Sequence, residues 1–233
     1  MTDAMKKSEV YSFPSFLGRL LRLVRSEMLV FWCIQVGLWL IVTAVMAVVE
    51  AMLGMDTRTV DLPGLFAFLG GIIAAFCLGA TLTGTFYSLM VGYGTPRRRV
   101  VAGIWMLGVL YGIAMVLVTL GLQALWKLMF GAGREVLDMV SMIPWWGLAA
   151  AALLPVAVSV FGSGIVRTFG AKGGLTLYIL FIVVCIVPSQ MMERIFTSEE
   201  QILAFLPWLF GGIGVVCGLV GTILLLRANL KNG

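Results

Sequence analysis

The sequence predicts an all-α polytopic membrane protein with six transmembrane helices. Its 233 residues are 61% hydrophobic and 12% charged, with a mean hydropathy of +1.07, whereas soluble domains are about 45–50% apolar and about 25% charged. The apolar residues form runs of about 20, the length of helix that crosses a hydrocarbon layer of about 30 Å. None of the runs alternates in the manner of a barrel strand. The composition therefore excludes a soluble domain.

Six apolar runs are long enough to be membrane spans, in which a helix satisfies its own backbone hydrogen bonds. They cover residues Leu29–Leu53, Leu65–Val91, Val101–Trp126, Trp145–Val166, Leu175–Met192 and Phe205–Leu226. The runs predict one transmembrane domain over residues 29–226. A cytoplasmic segment, residues 1–28, precedes it, and a short cytoplasmic tail, residues 227–233, follows it.

The lysines and arginines predict the orientation, because cytoplasmic loops retain them. With the N-terminus inside, twelve of the sixteen basic residues fall on the cytoplasmic side, and eight of the eleven acidic residues lie on or near the outer side. The four basic residues outside are Arg58, Lys127, Arg134 and Arg194. Both termini are therefore expected in the cytoplasm, and the net charge of +5 indicates membrane orientation and not nucleic-acid binding.

The sequence lacks the residues of the common enzymatic and metal sites. It contains no histidine, which excludes Ser-His triads and His-ligated metals, and no G-x-x-x-x-G-K-[ST] phosphate loop. The four cysteines lie in four different predicted spans without C-x-x-C pairing: Cys33, Cys77, Cys185 and Cys217. We expect neither a disulfide framework nor a zinc site. The first apolar run is too long for a cleaved signal peptide, so the first span is expected to remain.

Residues 13–28 predict an amphipathic helix ahead of the first span. At 100° per residue one face is apolar, and it consists of Phe13, Leu17, Leu20, Leu21, Val24 and Met28. Arg19, Arg22 and Arg25 lie on the opposite face. This pattern favours a helix in the cytoplasmic interface, with its arginines at the level of the anionic headgroups. The alternative is that the arginines only fix the orientation of the chain.

A basic turn, GYGTPRRRV at residues 92–100, separates the second and third spans. Thr95 is suited to the N-cap and Pro96 to the first position of a new helix. The three arginines that follow, Arg97, Arg98 and Arg99, then lie where the helix macrodipole disfavours cations. An anionic partner should offset that cost, either lipid phosphates or an acidic protein surface.

A second peripheral helix is predicted before the last span. Ser198, Glu199 and Glu200 resemble a helix start, and an apolar stripe of Ile202, Leu203 and Leu206 follows. Bounded by Pro188 and Pro207, this segment is either a short helix that dips into the outer leaflet or an acidic loop. Trp145 and Trp146 are expected to anchor the preceding loop at the interface.

The spans themselves carry few polar groups. Gln35 and Gln123 are the clearest, and the absence of an acidic relay or an arginine ladder argues against an ion-coupled pump. Small residues four apart favour close helix packing. They are Gly71, Ala75, Gly79 and Thr83 in the second span, Gly108 and Gly112 in the third, and Gly214 and Gly218 in the sixth.

This layout resembles the permease subunits of bacterial ABC-2-type exporters. The shared features cover almost the whole chain: an amphipathic N-terminal helix, six spans, both ends inside, a basic helical turn after the second span and a dipping segment before the last. The most specific element is YGTPRRRVVAG, residues 93–103, which is similar to the Gly-x-[Ser/Thr]-Arg-[Arg/Lys] turn of many small members. Pro96 departs from the commonest form of that turn.

The resemblance implies a division of labour. Two permease halves, identical or related, would pair, and each would rest on a cytoplasmic ATPase subunit that binds ATP and Mg, while this chain binds no cofactor itself. Residues 13–28 would be the elbow helix. The coupling helix seated in the ATPase would consist of Tyr93, Thr95, Pro96, Arg97, Arg98, Arg99 and Val100, and its arginines would face acidic groups of the ATPase.

The apolar spans suit an amphipathic or lipid-like cargo, such as a peptide antibiotic, a lipid or a hydrophobic drug, exported across the bacterial plasma membrane. A scaffold or regulatory membrane protein without transport activity would explain the spans and the charge asymmetry equally well. It gives no reason for the capped basic turn unless the turn anchors lipids. A channel or ion-driven carrier would need polar rings or broken polar helices at mid-membrane, and the sequence has neither.

Overall fold

The computed structural model describes residues 13–54, 61–130, 140–180, 182 and 199–227. Helices account for nearly all of these residues, and the described part of the chain contains no strand. This confirms the predicted all-α class. Positive φ occurs in the described residues at three glycines in turns, Gly54, Gly94 and Gly170.

Seven helices and one π-helical segment make up the described chain. They are α1 (Phe13–Leu53), α2 (Leu62–Thr81), the π segment (Leu82–Phe86), α3 (Tyr87–Gly92), α4 (Arg97–Phe130), α5 (Trp145–Phe169), α6 (171–180) and α7 (Glu199–Arg227). Among these residues, five helical stretches are long and apolar enough to cross a membrane. They correspond to the predicted first, second, third, fourth and sixth spans, so the chain has the character of a multi-pass membrane protein.

The predicted fifth span, Leu175–Met192, lies mostly outside the described residues. Its first residues belong to α6 (171–180), which follows α5 directly after Gly170. Gly170 has a φ of +61°, and its carbonyl oxygen accepts hydrogen bonds from the backbone N–H groups of Gly173 and Gly174. A residue without a Cβ is favoured at this left-handed corner.

Two predicted helix boundaries are absent. The amphipathic segment of residues 13–28 and the first span form one uninterrupted helix, α1, because the chain has no glycine or proline between Gly18 and Gly37 to end it. A separate elbow helix is therefore not delimited. Similarly, α7 begins at Glu199 and continues through Pro207, so the described part of the predicted short helix is continuous with the last span. The rest of that segment, residues 188–198, lies outside the described residues.

The chain divides into two compact units. Unit 1 comprises residues 1–78 and 102–143, and unit 2 comprises residues 79–101 and 144–233. Two of the three boundaries fall within helices, α2 and α4, and the third falls in the turn before α5. The core of unit 1 contains Trp39, Met46, Ala67 and Trp126, which come from α1, α2 and α4.

In unit 1, α1 runs parallel to α4 and antiparallel to α2. In three contacts between α1 and α4, the residue numbers increase in the same order along both helices. Phe16 lies over Gly103, the ring of Trp32 lies 5.0 Å from that of Tyr111, and Gln35 bonds to Thr119. The contacts with α2 run in opposite order, since Gln35 lies at Gly71 and Leu38 at Gly70. These directions are those of the first three spans of a polytopic helical protein.

In unit 2, α5 and α7 run parallel to each other. Trp146 lies 6.3 Å from Phe210, Leu154 lies at Gly214, and Phe161 lies at Gly221. A six-span topology requires the fourth and sixth spans to cross in the same direction. The segment 79–92 is also parallel to α5, because Gly79 lies at Ser159 and Ser88 bonds to Arg167.

Candidate functional site

The basic turn, residues 92–100, has a closed geometry that its sequence explains. The backbone N–H of Thr95 donates to Met90 carbonyl oxygen at 3.1 Å, and that of Gly94 donates to Val91 at 3.0 Å. These are the two bonds of a Schellman motif, which needs a left-handed residue at Gly94. Its φ is +82°. Gly94 therefore allows α3 to end with the carbonyls of Met90 and Val91 both hydrogen-bonded.

Pro96 begins the next helix. Its carbonyl oxygen accepts from the backbone N–H groups of Arg99 at 2.9 Å and Val100 at 3.2 Å. The regular helix therefore starts at Arg97, one residue after the predicted start, and Pro96 occupies the cap position that we had expected for Thr95. Proline suits this place because it has no N–H group to leave unpaired. Only Thr95 and Pro96 then separate Gly94, the left-handed residue that ends α3, from Arg97, the first residue of α4.

The residues of the basic turn differ in exposure. Tyr93 is 84% exposed at the tip, and Arg98 is exposed. Arg97 and Arg99 are half-buried, whereas Val100 is 1% exposed. The turn therefore presents an aromatic ring and a guanidinium group to its surroundings while Val100 packs inward.

Arg97 turns away from the tip toward the end of α7. Its Nη1 donates to the carbonyl oxygen of Leu226 at 3.3 Å. The neighbouring carbonyl, that of Leu225, accepts from the hydroxyl of Tyr87 in α3. The last carbonyls of a helix lack partners and carry the negative end of the macrodipole, so a cation is favoured there. Residues on both sides of the basic turn thus cap the same helix end.

A second arginine ties the π segment to α5. Arg167 donates through Nη2 to Thr83 carbonyl oxygen at 2.9 Å, to Gly84 carbonyl oxygen, and to Ser88 Oγ at 2.7 Å. A π-helical turn shifts the backbone hydrogen-bond register and leaves carbonyls to be satisfied from outside the helix. Arg167 supplies that donor. Its guanidinium carbon also lies 4.8 Å from the centre of the Tyr87 ring, within the range of a cation–π contact.

One further polar bond joins the same elements. Thr83 Oγ1 and Ser163 Oγ lie 2.6 Å apart, and Thr83 Oγ1 also lies 2.8 Å from the carbonyl oxygen of Gly79. Together with Arg167, this bond fixes the π segment to α5 at two successive turns.

We call Arg97, Arg167 and Tyr87 the arginine cluster.

Charge at this end of unit 2 is all of one sign among the described residues. The basic residues there are Arg97, Arg98, Arg99, Arg167, Lys172 and Arg227. The described acidic residues of the unit, Glu199 and Glu200, belong to the opposite end of α7. Neither Arg97 nor Arg167 has a carboxylate partner in the described chain. An anion from outside these residues would therefore be favoured here.

The predicted intramembrane glutamines lie in unit 1. Gln35 is fully buried, and its Nε2 donates to Thr119 Oγ1 at 2.9 Å and to the carbonyl oxygen of Met115 at 3.3 Å. Gln123 is also buried, one turn beyond Thr119. Several buried polar atoms nearby have no hydrogen-bond partner among the described residues: Gln35 Oε1, Trp39 Nε1, Tyr111 Oη, Gln123 Nε2 and Trp126 Nε1.

The small residues predicted to pack helices are mostly buried. Gly71 faces Met115 and Gln35 in unit 1, and Gly79 faces Ser159 in unit 2. Ala75, Gly108, Gly112 and Gly218 are buried, and Gly214 is half-buried. A close approach between α5 and α7 that the sequence did not indicate lies at Gly221, where a Cβ would stand 2.5 Å from the backbone of Phe161.

The arginines of the amphipathic segment point outward. Arg19, Arg22 and Arg25 are exposed, whereas Leu20 and Val24 are fully buried. Leu20 packs over Gly103 in α4. Part of the apolar face predicted for a lipid surface thus covers another helix, while Leu21 of the same face is 46% exposed.

Sequence reasoning missed three of the residues that hold the basic turn in place. Tyr87 and Ser88 lie in an apolar run with no distinguishing pattern, and Arg167 was counted only toward membrane orientation. A signal was available for Arg167, because a charged residue at the end of a span usually has a specific partner. The π segment had no signal, since LTGTF is compatible with an ordinary helix.

Comparison of the chain with protein families, with curated proteins and with solved structures finds no match. The site is therefore interpreted from its own geometry.

Proposed function

We propose that this chain is the permease subunit of an ATP-driven exporter of the ABC-2 type, in which the basic turn receives force from a separate ATPase subunit. The observation that carries the proposal is the construction of the turn. Its tip is exposed, both of its helix ends are capped, and the helices on either side are bonded to the end of α7.

The hydrogen bonds of the turn suit the transmission of movement. A loose loop would absorb a displacement, but here Gly94 and Pro96 close the turn over two residues and leave little freedom between α3 and α4. A displacement of Tyr93 would be passed through Tyr87 and Arg97 to the carbonyls of Leu225 and Leu226. Arg167 adds a path into α5 by way of the π segment.

The exposed groups indicate the kind of surface that would receive the turn. Arg98 would pair with acidic side chains of the ATPase, and Tyr93 would enter an apolar groove. Because Arg97 donates to Leu226, its role is to hold the turn and not to meet the partner. ATP and Mg would bind to the ATPase, and two permease copies, identical or related, would form the transporter in a bacterial plasma membrane with the termini in the cytoplasm.

The cargo is proposed from the character of the spans. They are apolar, with Gln35, Thr119 and Gln123 as a short polar stretch in unit 1. An amphipathic or lipid-like molecule, such as a peptide antibiotic, a lipid or a hydrophobic drug, would be compatible with such spans. Transport would use no ion gradient.

The test is affinity purification of the chain from its native membrane in mild detergent, with the copurifying ATPase subunit quantified. A triple Arg97, Arg98 and Arg99→Ala variant is compared with wild type. Two single charge reversals then distinguish a contact with the partner from a general effect of charge. They are Arg98→Glu in the turn and Arg25→Glu on α1, and both arginines are exposed. We expect Arg98→Glu to lower ATPase recovery about tenfold, since opposing like charges costs more than 1.4 kcal/mol, and Arg25→Glu to leave it unchanged.

Other outcomes have defined meanings. If no ATPase accompanies the folded wild-type protein, the exporter proposal fails and a scaffold or regulatory role takes its place. If the ATPase is recovered equally with wild type and Arg98→Glu, the chain has an ATPase partner but the basic turn is not its docking site.

A further inference from the structure

We infer that the arginine cluster of unit 2 binds the phosphate group of an anionic phospholipid. The inference does not depend on the proposed function, because it concerns the charge balance of the helix ends and not a protein partner. It places a lipid where α3, α5 and α7 come together at Tyr87.

The first argument is the unbalanced charge of Arg167. The residue lies in the last turn of α5 and is half-buried, yet its partners among the described residues are neutral: two backbone carbonyls, the Ser88 hydroxyl and the Tyr87 ring. Such partners satisfy donors but do not neutralise the charge. A partly buried cation without an anion is costly in a low-dielectric environment, so a negative group is favoured beside it.

The second argument is the number of donors that remain. All three hydrogen bonds of Arg167 come from Nη2, and Arg97 uses Nη1. Nε and one amino group of each guanidinium therefore have no acceptor among the described residues. In Arg97 the remaining donors, Nε and Nη2, are adjacent and parallel, so they match two oxygens of a phosphate. In Arg167 the remaining donors, Nε and Nη1, point to opposite sides of the guanidinium, so each can give a single hydrogen bond.

The third argument is the position of Arg97 relative to Arg167. Tyr87 contacts Arg167 through its ring, and its hydroxyl bonds to the carbonyl of Leu225. Arg97 bonds to the next carbonyl, that of Leu226. Both guanidinium groups thus lie around one tyrosine side chain, and the two charges can act on one ligand.

The surroundings select a lipid and not a free anion. Apolar side chains on the three helices of the cluster are exposed in the described structure: Leu89 (47%) two residues after Tyr87, Val166 (44%) next to Arg167, and Ile223 (48%) two residues before Leu225, whose carbonyl bonds to Tyr87. Acyl chains can cover such side chains while the phosphate remains at the ends of the helices, which is the depth of the headgroups. Inorganic phosphate offers the same oxygens but leaves these side chains uncovered.

The test uses the purified full chain, stripped of lipid in detergent and then supplied with 1-palmitoyl-2-oleoyl phosphatidylglycerol, the matched phosphatidylcholine or inorganic phosphate. Bound lipid is counted by native mass spectrometry, and the melting temperature is recorded in parallel. Both lipids offer phosphate oxygens, but only phosphatidylglycerol has a net negative charge, because choline neutralises the phosphate of phosphatidylcholine. We therefore expect phosphatidylglycerol to bind about tenfold more tightly and to raise the melting temperature. Phosphate alone should produce no such rise.

Variants assign the site. Arg167→Gln should abolish the preference for phosphatidylglycerol, Arg167→Lys should weaken it, and Arg97→Gln should reduce it in part. The control, Arg25→Gln, removes an exposed arginine of α1 and should retain the full preference. Should Arg167→Gln fail to fold, Arg167→Lys and Arg97→Gln decide the matter. The inference is overturned if these variants keep the wild-type preference, or if inorganic phosphate stabilises the protein as strongly as the lipid.

Discussion

In unit 1, Gln35 joins two helices from a position buried within the spans, whereas in unit 2 two arginines and Tyr87 bond mainly to backbone carbonyls. Gln35 bonds to Thr119 in the first case. Arg97 and Arg167 bond to carbonyls of α7 and of the π segment in the second. Unit 1 also contains the buried polar atoms without a partner among the described residues, such as Trp39 Nε1 and Trp126 Nε1.

The difference shows two ways in which apolar helices acquire a fixed arrangement. In unit 1, large side chains such as Trp39 and Trp126 fill the space between helices, and a few polar groups set the register. In unit 2, the α5 and α7 backbones approach closely at glycines, and charged side chains fasten the helix ends. Unit 2 should therefore be sensitive to added volume, and unit 1 to lost hydrogen bonds.

The largest expected effect is that of adding one methyl group to Gly221. A Cβ there would lie 2.5 Å from the Cα and N of Phe161, and backbone atoms can yield only if α5 and α7 separate. We expect Gly221→Ala to lower the free energy of unfolding by about 3 kcal/mol. The measurement is denaturation in detergent micelles followed by circular dichroism.

Two controls define that comparison. Gly211→Ala in the same helix adds a Cβ with no atom within 4 Å and should be neutral or slightly stabilising. In Gly71→Ala in unit 1, the added Cβ would lie 2.5 Å from Met115 Cγ. Because this flexible side chain can move, the loss in the free energy of unfolding should be about 1 kcal/mol. If Gly71→Ala and Gly221→Ala lost the same free energy of unfolding, unit 2 would not be more sensitive to added volume than unit 1.

A smaller effect is expected in the basic turn. Gly94→Ala places a side chain at a φ of +82°, which costs about 1–2 kcal/mol for an L-residue. The Schellman bonds should weaken, and Tyr93 should become more accessible to protease or to hydrogen exchange. The matched control is Gly92→Ala, at the end of α3 with no atom within 4 Å. A loss in Gly92→Ala as large as that in Gly94→Ala would contradict the assigned geometry.

The smallest expected effect is the coupling of Gln35 to Thr119. Interhelical hydrogen bonds in membrane proteins contribute on average about 0.6 kcal/mol, so a double-mutant cycle of Gln35→Leu and Thr119→Val should give a coupling energy of that size. Gln35→Leu also removes Oε1, which has no partner in the described chain, and its total cost should therefore be small. A cycle with Thr83→Val and Ser163→Ala provides the corresponding value for unit 2.

Much of the secondary structure followed from local patterns. Apolar runs set the positions of five spans, because no other structure can satisfy the backbone within a bilayer. Thr95 and Pro96 predicted where the helix after the basic turn begins, and the observed start, Arg97, is one residue later. The boundary predicted near residue 28 was not found, since amphipathicity describes the faces of a helix and does not end it. Pro207 likewise did not end α7.

The arrangement of the basic turn could be predicted only in part. The arginines were expected to meet an anion, because three cations at a helix start oppose its dipole. Whether they meet an anion stays a prediction. The hydrogen bond from Arg97 to the carbonyl of Leu226 depends on a residue 129 positions away along the chain. No periodicity encodes such a contact.

The sequence by itself determined that the chain is an all-helical membrane protein, where its spans lie and where a basic turn interrupts them. These properties depend on the composition of short segments and on their transfer from water. The tertiary structure alone decided that Tyr87 and Arg97 bond to neighbouring carbonyls of α7, that Arg167 of α5 holds the π segment, and that Gly221 lies against the backbone of Phe161. Such features depend on which helices are neighbours and in what register, and apolar helices of similar composition leave that choice to packing between residues far apart in the chain.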